Sequence, residues 1–146
     1  MGAMAAKKSE RSIVIGFGST AQKADINPDD RMLTNMNIIR SLPVGHATIA
    51  EAAFKVLGNT KVDRIILLSD MQCYGGSVQG AWKRYLKDVN KDAWLYSVDL
   101  SAYGTSQTSS QTEHVVRLNG WSDKILDLIQ LSEKTKDAMI NDIRKF

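Results

Sequence analysis

Apolar residues in this chain fall into short blocks that switch between two spacings. SIVIGFG (12–18) is dense in β-branched residues and bounded by glycine, which predicts a strand buried on both faces. From Pro28, NPDDRMLTNMNIIRSL predicts a helix with acidic residues in its first turn and Pro43 as its stop. A loop, GHAT (45–48), leads to a helix over 49–57 with Ala52, Ala53, Val56 and Leu57 on one side and Gly58-Asn59 at its end. VDRIILLSD (62–70) is apolar without alternation and reads as a central parallel strand. Val78, Ala81, Trp82, Tyr85, Leu86 and Val89 recur at i, i+3, i+4, i+7, i+8 and i+11, so one face of a helix is continuously apolar. AWLYSVDL (93–100) and EHVVRL (113–118) predict two more strands around a polar loop, TSQTSSQT. A helix over 121–131, a charged stretch and a last helical segment near 136–145 close the chain.

Strands alternating with helices require right-handed crossovers, and the expected fold is α/β: a doubly wound, mostly parallel sheet with helices on both faces. With 146 residues there is room for one core. Hydrophobic residues make up 43% and charged ones 24%, an ordinary globular balance, and no apolar run reaches the roughly 20 residues of a spanning helix. No partnership with a membrane is therefore expected. The start, MGAMAAKKSE, has charges but no apolar core of a signal peptide, and Cys73 is the single cysteine, so a cytoplasmic setting is expected. MGAM reads as a tag scar. A net charge of +3 permits an acidic partner, yet the basic residues are spread along the chain rather than massed in one block.

In such sheets ligands gather beyond the carboxyl ends of the strands. Asp70 stands at that end of 62–70, and Thr48 lies in a loop able to reach the same edge. A hydroxyl and a carboxylate are hard oxygen donors suited to Mg²⁺ or Mn²⁺, though they fill only part of an octahedral shell. A second role competes for each. Thr48 with Glu51 three positions on has the spacing of a capping box for the helix 49–57. Asp70 could serve as a turn or helix cap, although a carboxylate buried at the end of an apolar strand would need partners.

Other residues carry weaker signals. Asp99 and Ser101 begin an Asp-x-Ser but have Tyr103 where a second serine would stand, and a turn through Gly104 explains them as well. His46 and His114 have no second histidine nearby. Cys73, beside Tyr74, has no base in a recognisable arrangement and reads as structural. Trp82, Trp94 and Trp121 could stack on bases, but Trp82 lies on the apolar stripe and Trp94 opens a strand, which favours core packing. Gly16-Phe17-Gly18-Ser19-Thr20 lacks the lysine and spacing of a phosphate loop and reads as a turn after a strand.

Taken together, G-x-x-T at 45–48, D-M-Q at 70–72 and V-D-L-x-x-Y-G at 98–104 resemble the von Willebrand factor A-like domain of the Ro autoantigen, or TROVE, family. The resemblance runs from about Ser12 to Leu131. It implies a Rossmann-like sheet, a metal-ion-dependent adhesion site in which Thr48 and Asp70 supply the second and third loops, and a ribonucleoprotein setting whose main grip on noncoding RNA belongs to a separate helical-repeat ring. The family's first loop, Asp-x-Ser-x-Ser, does not occur here, and AAKKSERS resembles the end of the helix that follows it. The implied organisation is thus a tag scar and helix tail over 1–11, a partial domain over 12–131, incomplete at its N-terminal side, and a helical extension over 132–146.

A missing first strand would leave hydrophobic strand edges open, so self-association or a protein partner that completes the sheet is expected. Two function classes follow. One is a non-catalytic binding and assembly module of a Ro-type RNA-binding ribonucleoprotein with a degenerate metal site. The other is a metal-dependent or phosphate-handling enzyme, which would need a second acid, base or nucleophile near Asp70, where Met71, Gln72 and Tyr74 are weak candidates.

Overall fold

A computed structural model describes residues 2–8, 11–70, 78–100, 113–120, 122 and 124–144, with side chains described as far as residue 135. Among these residues the elements are, in order, α1 (Gly2–Lys7), β1 (Ile15–Phe17), β2 (Ala21–Lys23), α2 (Met32–Arg40), α3 (Glu51–Leu57), β3 (Arg64–Ser69), α4 (Val78–Asp88), β4 (Trp94–Asp99), β5 (Val115–Asn119) and α5 (Ile125–Arg144). The strands β3, β4 and β5 form a parallel sheet in that order, with Arg64 level with Trp94 and Leu95 level with Val115.

The uninterrupted apolarity of β3 and β4 is explained by cover on both faces. On one face Leu67 and Leu95 pack with Ala50 and Leu57 from the α3 segment and with Val78, Trp82, Tyr85 and Leu86 from α4. On the other, Tyr96 and Val98 pack with Ile125 and Ile129 of α5, and Ile66 and Leu68 lean on that cluster. The expected α/β layering and the helix stripe of α4 are therefore observed. Trp82 is fully buried, stacks on Tyr85 at a centroid distance of 5.8 Å, and donates its indole N–H to the Glu113 carbonyl at 2.9 Å. Its ring belongs to the core. Trp94 is half-buried and stacks on His114 at 4.6 Å.

Four local expectations need correction. The first concerns the segment 12–18, expected as a strand buried on both faces. Its strand β1 is only half-buried and pairs antiparallel with β2 in a separate two-stranded sheet, Gly16 opposite Gln22. The turn through Gly18–Thr20 is short enough to fold the chain back at once, which makes the polar Ala21–Lys23 its nearest partner.

The helix expected from Pro28 starts at Met32 instead. Asn27 takes the Asp29 N–H on its side-chain oxygen, and the buried Asn35 binds the Asn27 backbone through both ends of its amide, at 2.6 and 3.3 Å. These bonds hold Asp29 and Asp30 in a turn before the helix rather than in its first turn. At the carboxyl end, the two helical segments expected near 121–131 and 136–145 are one helix of 20 residues. No glycine or proline interrupts 125–144, and Ser132 and Thr135 return their hydroxyls to the Ile129 and Leu131 carbonyls of their own helix. Finally, Gly2–Lys7, partly set aside as a tag scar, forms a helix whose Ala3 and Ala6 are buried.

Candidate functional site

The loop that carries Thr48 is held by the hairpin turn between β1 and β2. Ser19 Oγ accepts the Ala47 N–H at 3.2 Å, the Ile49 N–H donates to the Gly18 carbonyl at 2.9 Å, and the Thr20 N–H donates to the Val44 carbonyl at 3.0 Å. Thr48 is thus bracketed on both sides by bonds to the same turn. Two glycines allow this approach. Gly45 has φ of +78°, a left-handed conformation that disfavours a side chain, and a Cβ there would stand 2.7 Å from Ser19 Oγ. A Cβ on Gly18 would meet the Val44 and Gly45 carbonyl oxygens at 2.6 and 2.5 Å, so the two backbones touch.

Thr48 does not cap α3. The N-cap is Ala50, with no side-chain cap bond, and the first turn closes tightly through Ala52 N–H to Ile49 O and Ala53 N–H to Ala50 O, each 3.1 Å. Glu51, the expected partner of a capping box, instead accepts from Arg84 at 2.9 Å and ties α3 to α4. The threonine, half-buried, is therefore not committed to the helix.

α3 leads through the turn at 58–63 into β3, and Asp70 directly follows the carboxyl end of that strand. Asp70 is exposed there and has an interaction partner, which corrects the expectation of a buried carboxylate. Burial falls on a different acid: Asp99, at the end of β4 and level with Ser69, is 4% exposed and also partnered. Sequence reasoning treated Asp99 as a strand end. Its position beside the buried Ser69 was encoded only in the register between strands. Met71, Gln72, Cys73, Tyr74, Ser101, Tyr103, Gly104 and Trp121 lie outside the described residues.

The histidines do not join this edge as a pair. His46 is exposed in the 45–48 loop. His114 sits where β5 begins, with its Nδ1 3.0 Å from the Ala93 carbonyl and its ring on Trp94. It serves the amino-terminal rim of the sheet. Among the described residues no group of three or more His, Cys, Asp or Glu side chains is placed to hold a metal ion. A threonine hydroxyl and an aspartate carboxylate are hard oxygen donors by chemistry, too few by themselves for an octahedral shell.

At the opposite rim β3 is anchored. Tyr85 Oη accepts the Val62 N–H at 2.9 Å and donates to the Thr60 carbonyl at 2.8 Å, while the Asn90 amide donates to the Val62 carbonyl. Burial raises the Tyr85 phenol above its ordinary value, the Val62 bond opposes that shift, and Asp63 adds to it. On the α5 side, Glu133 pairs with Arg64 and accepts the Tyr96 hydroxyl at 3.0 Å. The Tyr96 phenol is raised first by burial, with Ser132 opposing and Glu133 reinforcing the shift.

No protein-family model matches the chain, and no curated protein matches it. Among solved structures, the Ro (RSR) protein of Deinococcus radiodurans aligns with a TM-score of 0.68 over 84% of this chain, at 19% identity. The chain has the fold of one segment of a Ro protein. It spans 25% of that Ro chain's length. The α/β organisation implied by the motifs at 45–48, 70–72 and 98–104 is thus present.

Proposed function

We propose that the chain is a non-catalytic binding and assembly module of a Ro-type RNA-binding ribonucleoprotein, with a metal-ion-dependent adhesion site reduced to Thr48 and Asp70. The observation that carries this reading is the Ro-like fold over most of the chain, combined with a threonine loop that is clamped in place by Ser19 and Gly18 yet does no capping work. A hydroxyl immobilised without a helix to cap is suited to an external ligand. Mg²⁺ or Mn²⁺ would be held by the Thr48 hydroxyl and the Asp70 carboxylate and would supply an open coordination position for an acidic ligand.

RNA contact belongs to the longer Ro-type protein, and this module contributes assembly. The +3 charge is spread rather than concentrated, which favours a secondary part in holding nucleic acid. The sheet is completed along β3 by a protein partner or a second copy, and the module works in the cytoplasm. Its organisation is a partial domain over 12–131 with a helical extension over 132–146.

Isothermal titration with Mn²⁺ and Mg²⁺, beside Asp70→Ala and Thr48→Ala, tests the site. Binding with a Kd near a millimolar in the parent chain, lost in Asp70→Ala, is expected. Equal heats from the parent and both variants would remove the metal from the account.

A further inference from the structure

Resting on the reading that the sheet is incomplete along β3, we propose that two copies of this chain pair through β3 itself, antiparallel and in a register centred on Leu67. β3 is hydrogen-bonded to β4 on one side, and no other described strand pairs with it. Edge strands are ordinarily protected by charge, proline or a bulge. β3 has none of these between Arg64 and Asp70: its interior is Ile65, Ile66, Leu67, Leu68 and Ser69, apolar toward both faces. Its composition is that of an interior strand, and its position is that of an edge.

The register follows from two independent observations. The Asp63 and Ser69 carbonyls accept from Trp94 and Leu100 of the neighbouring chain segment, so odd-numbered residues turn their backbone groups toward β4. Even-numbered residues, Arg64, Ile66 and Leu68, turn theirs outward. An antiparallel partner must then set even residues opposite even residues. Centring on Leu67 does so, with Ile66 opposite the partner's Leu68 and Arg64 opposite the partner's Asp70.

Charge selects that register among those the backbone permits. It places an Arg64–Asp70 pair at each end of the ladder, with only Ile65, Ser69 and Leu67 pairings between the hydrogen-bonded rows. A parallel partner in register would set Arg64 against Arg64 and Asp70 against Asp70. Both residues are exposed and each already has a partner, Glu133 in the case of Arg64; the guanidinium has donors enough to bridge a second carboxylate, and a carboxylate has lone pairs enough to accept from a second donor. Two-fold symmetry makes the contact self-complementary and closed. A six-residue ladder is a small interface, so the association is weak and concentration-dependent.

Sedimentation velocity across a concentration series, in EDTA so that metal ligation takes no part, tests the pairing on the parent chain, Arg64→Asp, Asp70→Arg and the double exchange. Each single reversal is expected to weaken dimerisation by about tenfold, and the double exchange to restore it. A parent chain that stays monomeric, or a dimer indifferent to all three variants, would overturn the proposal; neither result touches the titration of Thr48 and Asp70, which stands or falls separately. Hydrogen exchange on the unaltered chain guards against variants that unfold: protection of the Ile66 and Leu68 amides that rises with protein concentration supports the pairing, and concentration-independent exchange overturns it.

Discussion

Thr48 owes its position to residues that do no chemistry. Gly45 and Gly18 let two backbone segments touch, and Ser19 bonds the loop that results. Gly45→Ala combines an unfavourable positive φ with a clash on Ser19, and a loss of about 1–2 kcal/mol of stability together with weaker metal binding is expected from denaturant melts and titration. The signal for this clamp was present as Gly-Phe-Gly-Ser-Thr, but its partner lies in another loop, and nothing local in the sequence names that partner. Tyr85 was legible as a core position from its place on the α4 stripe, whereas its two bonds to the 60–62 turn were not. Tyr85→Phe strands the Val62 N–H and the Thr60 carbonyl, at a cost of about 1–3 kcal/mol. A phenol raised above its ordinary 10.0 keeps its proton better in the folded chain than in the unfolded one. Its stabilising effect is therefore complete below pH 10 and is lost as pH rises through the folded value. Thermal melts on either side of pH 10 are expected to show that loss, and Tyr85→Phe to make it shallower.

At the scale of elements, the period of apolar positions was sufficient wherever burial was continuous. β3, α4 and β4 were legible because two covered sheet faces and one helix stripe impose patterns that survive without knowledge of partners. The hairpin was not. Ala21–Lys23 is three residues, polar and half-exposed, and becomes a strand only because the turn at 18–20 returns it to Ile15–Phe17. The continuous α5 was missed for a related reason: the charged and hydroxyl-bearing stretch around Ser132–Thr135 weakens the apolar period, while helix propensity and hydroxyl back-bonding carry the backbone through. Glu133 lies in that stretch and links α5 to Arg64 of β3 and Tyr96 of β4. Glu133→Gln weakens the ion pair at a partly exposed site while retaining an acceptor for the tyrosine, so a loss of less than about 1 kcal/mol is expected in chemical denaturation.

For the whole molecule, the alternation of strand and helix led to the right layering, and the motifs at 45–48, 70–72 and 98–104 led to a Ro-like fold that the Deinococcus radiodurans structure shares. Which aspartate would be buried at the carboxyl edge could not be read, because the register that sets Asp99 level with Ser69 is a relation between strands and not a local pattern. The function proposed for the chain rests on that edge. If the module assists rather than leads in RNA contact, fluorescence anisotropy with a structured RNA is expected to give a Kd no tighter than about 10⁻⁶ M at physiological salt. Nanomolar affinity would assign the main RNA grip to this chain.

The most direct test of the proposal that Thr48 and Asp70 share an edge is paramagnetic broadening of amide NMR signals by Mn²⁺. The account predicts that the signals of 45–50 and of 69–70 broaden together at low Mn²⁺, while those of Asp63 and Trp94 at the opposite rim stay sharp. Broadening confined to one of the two loops, or spread evenly over both rims, would contradict it.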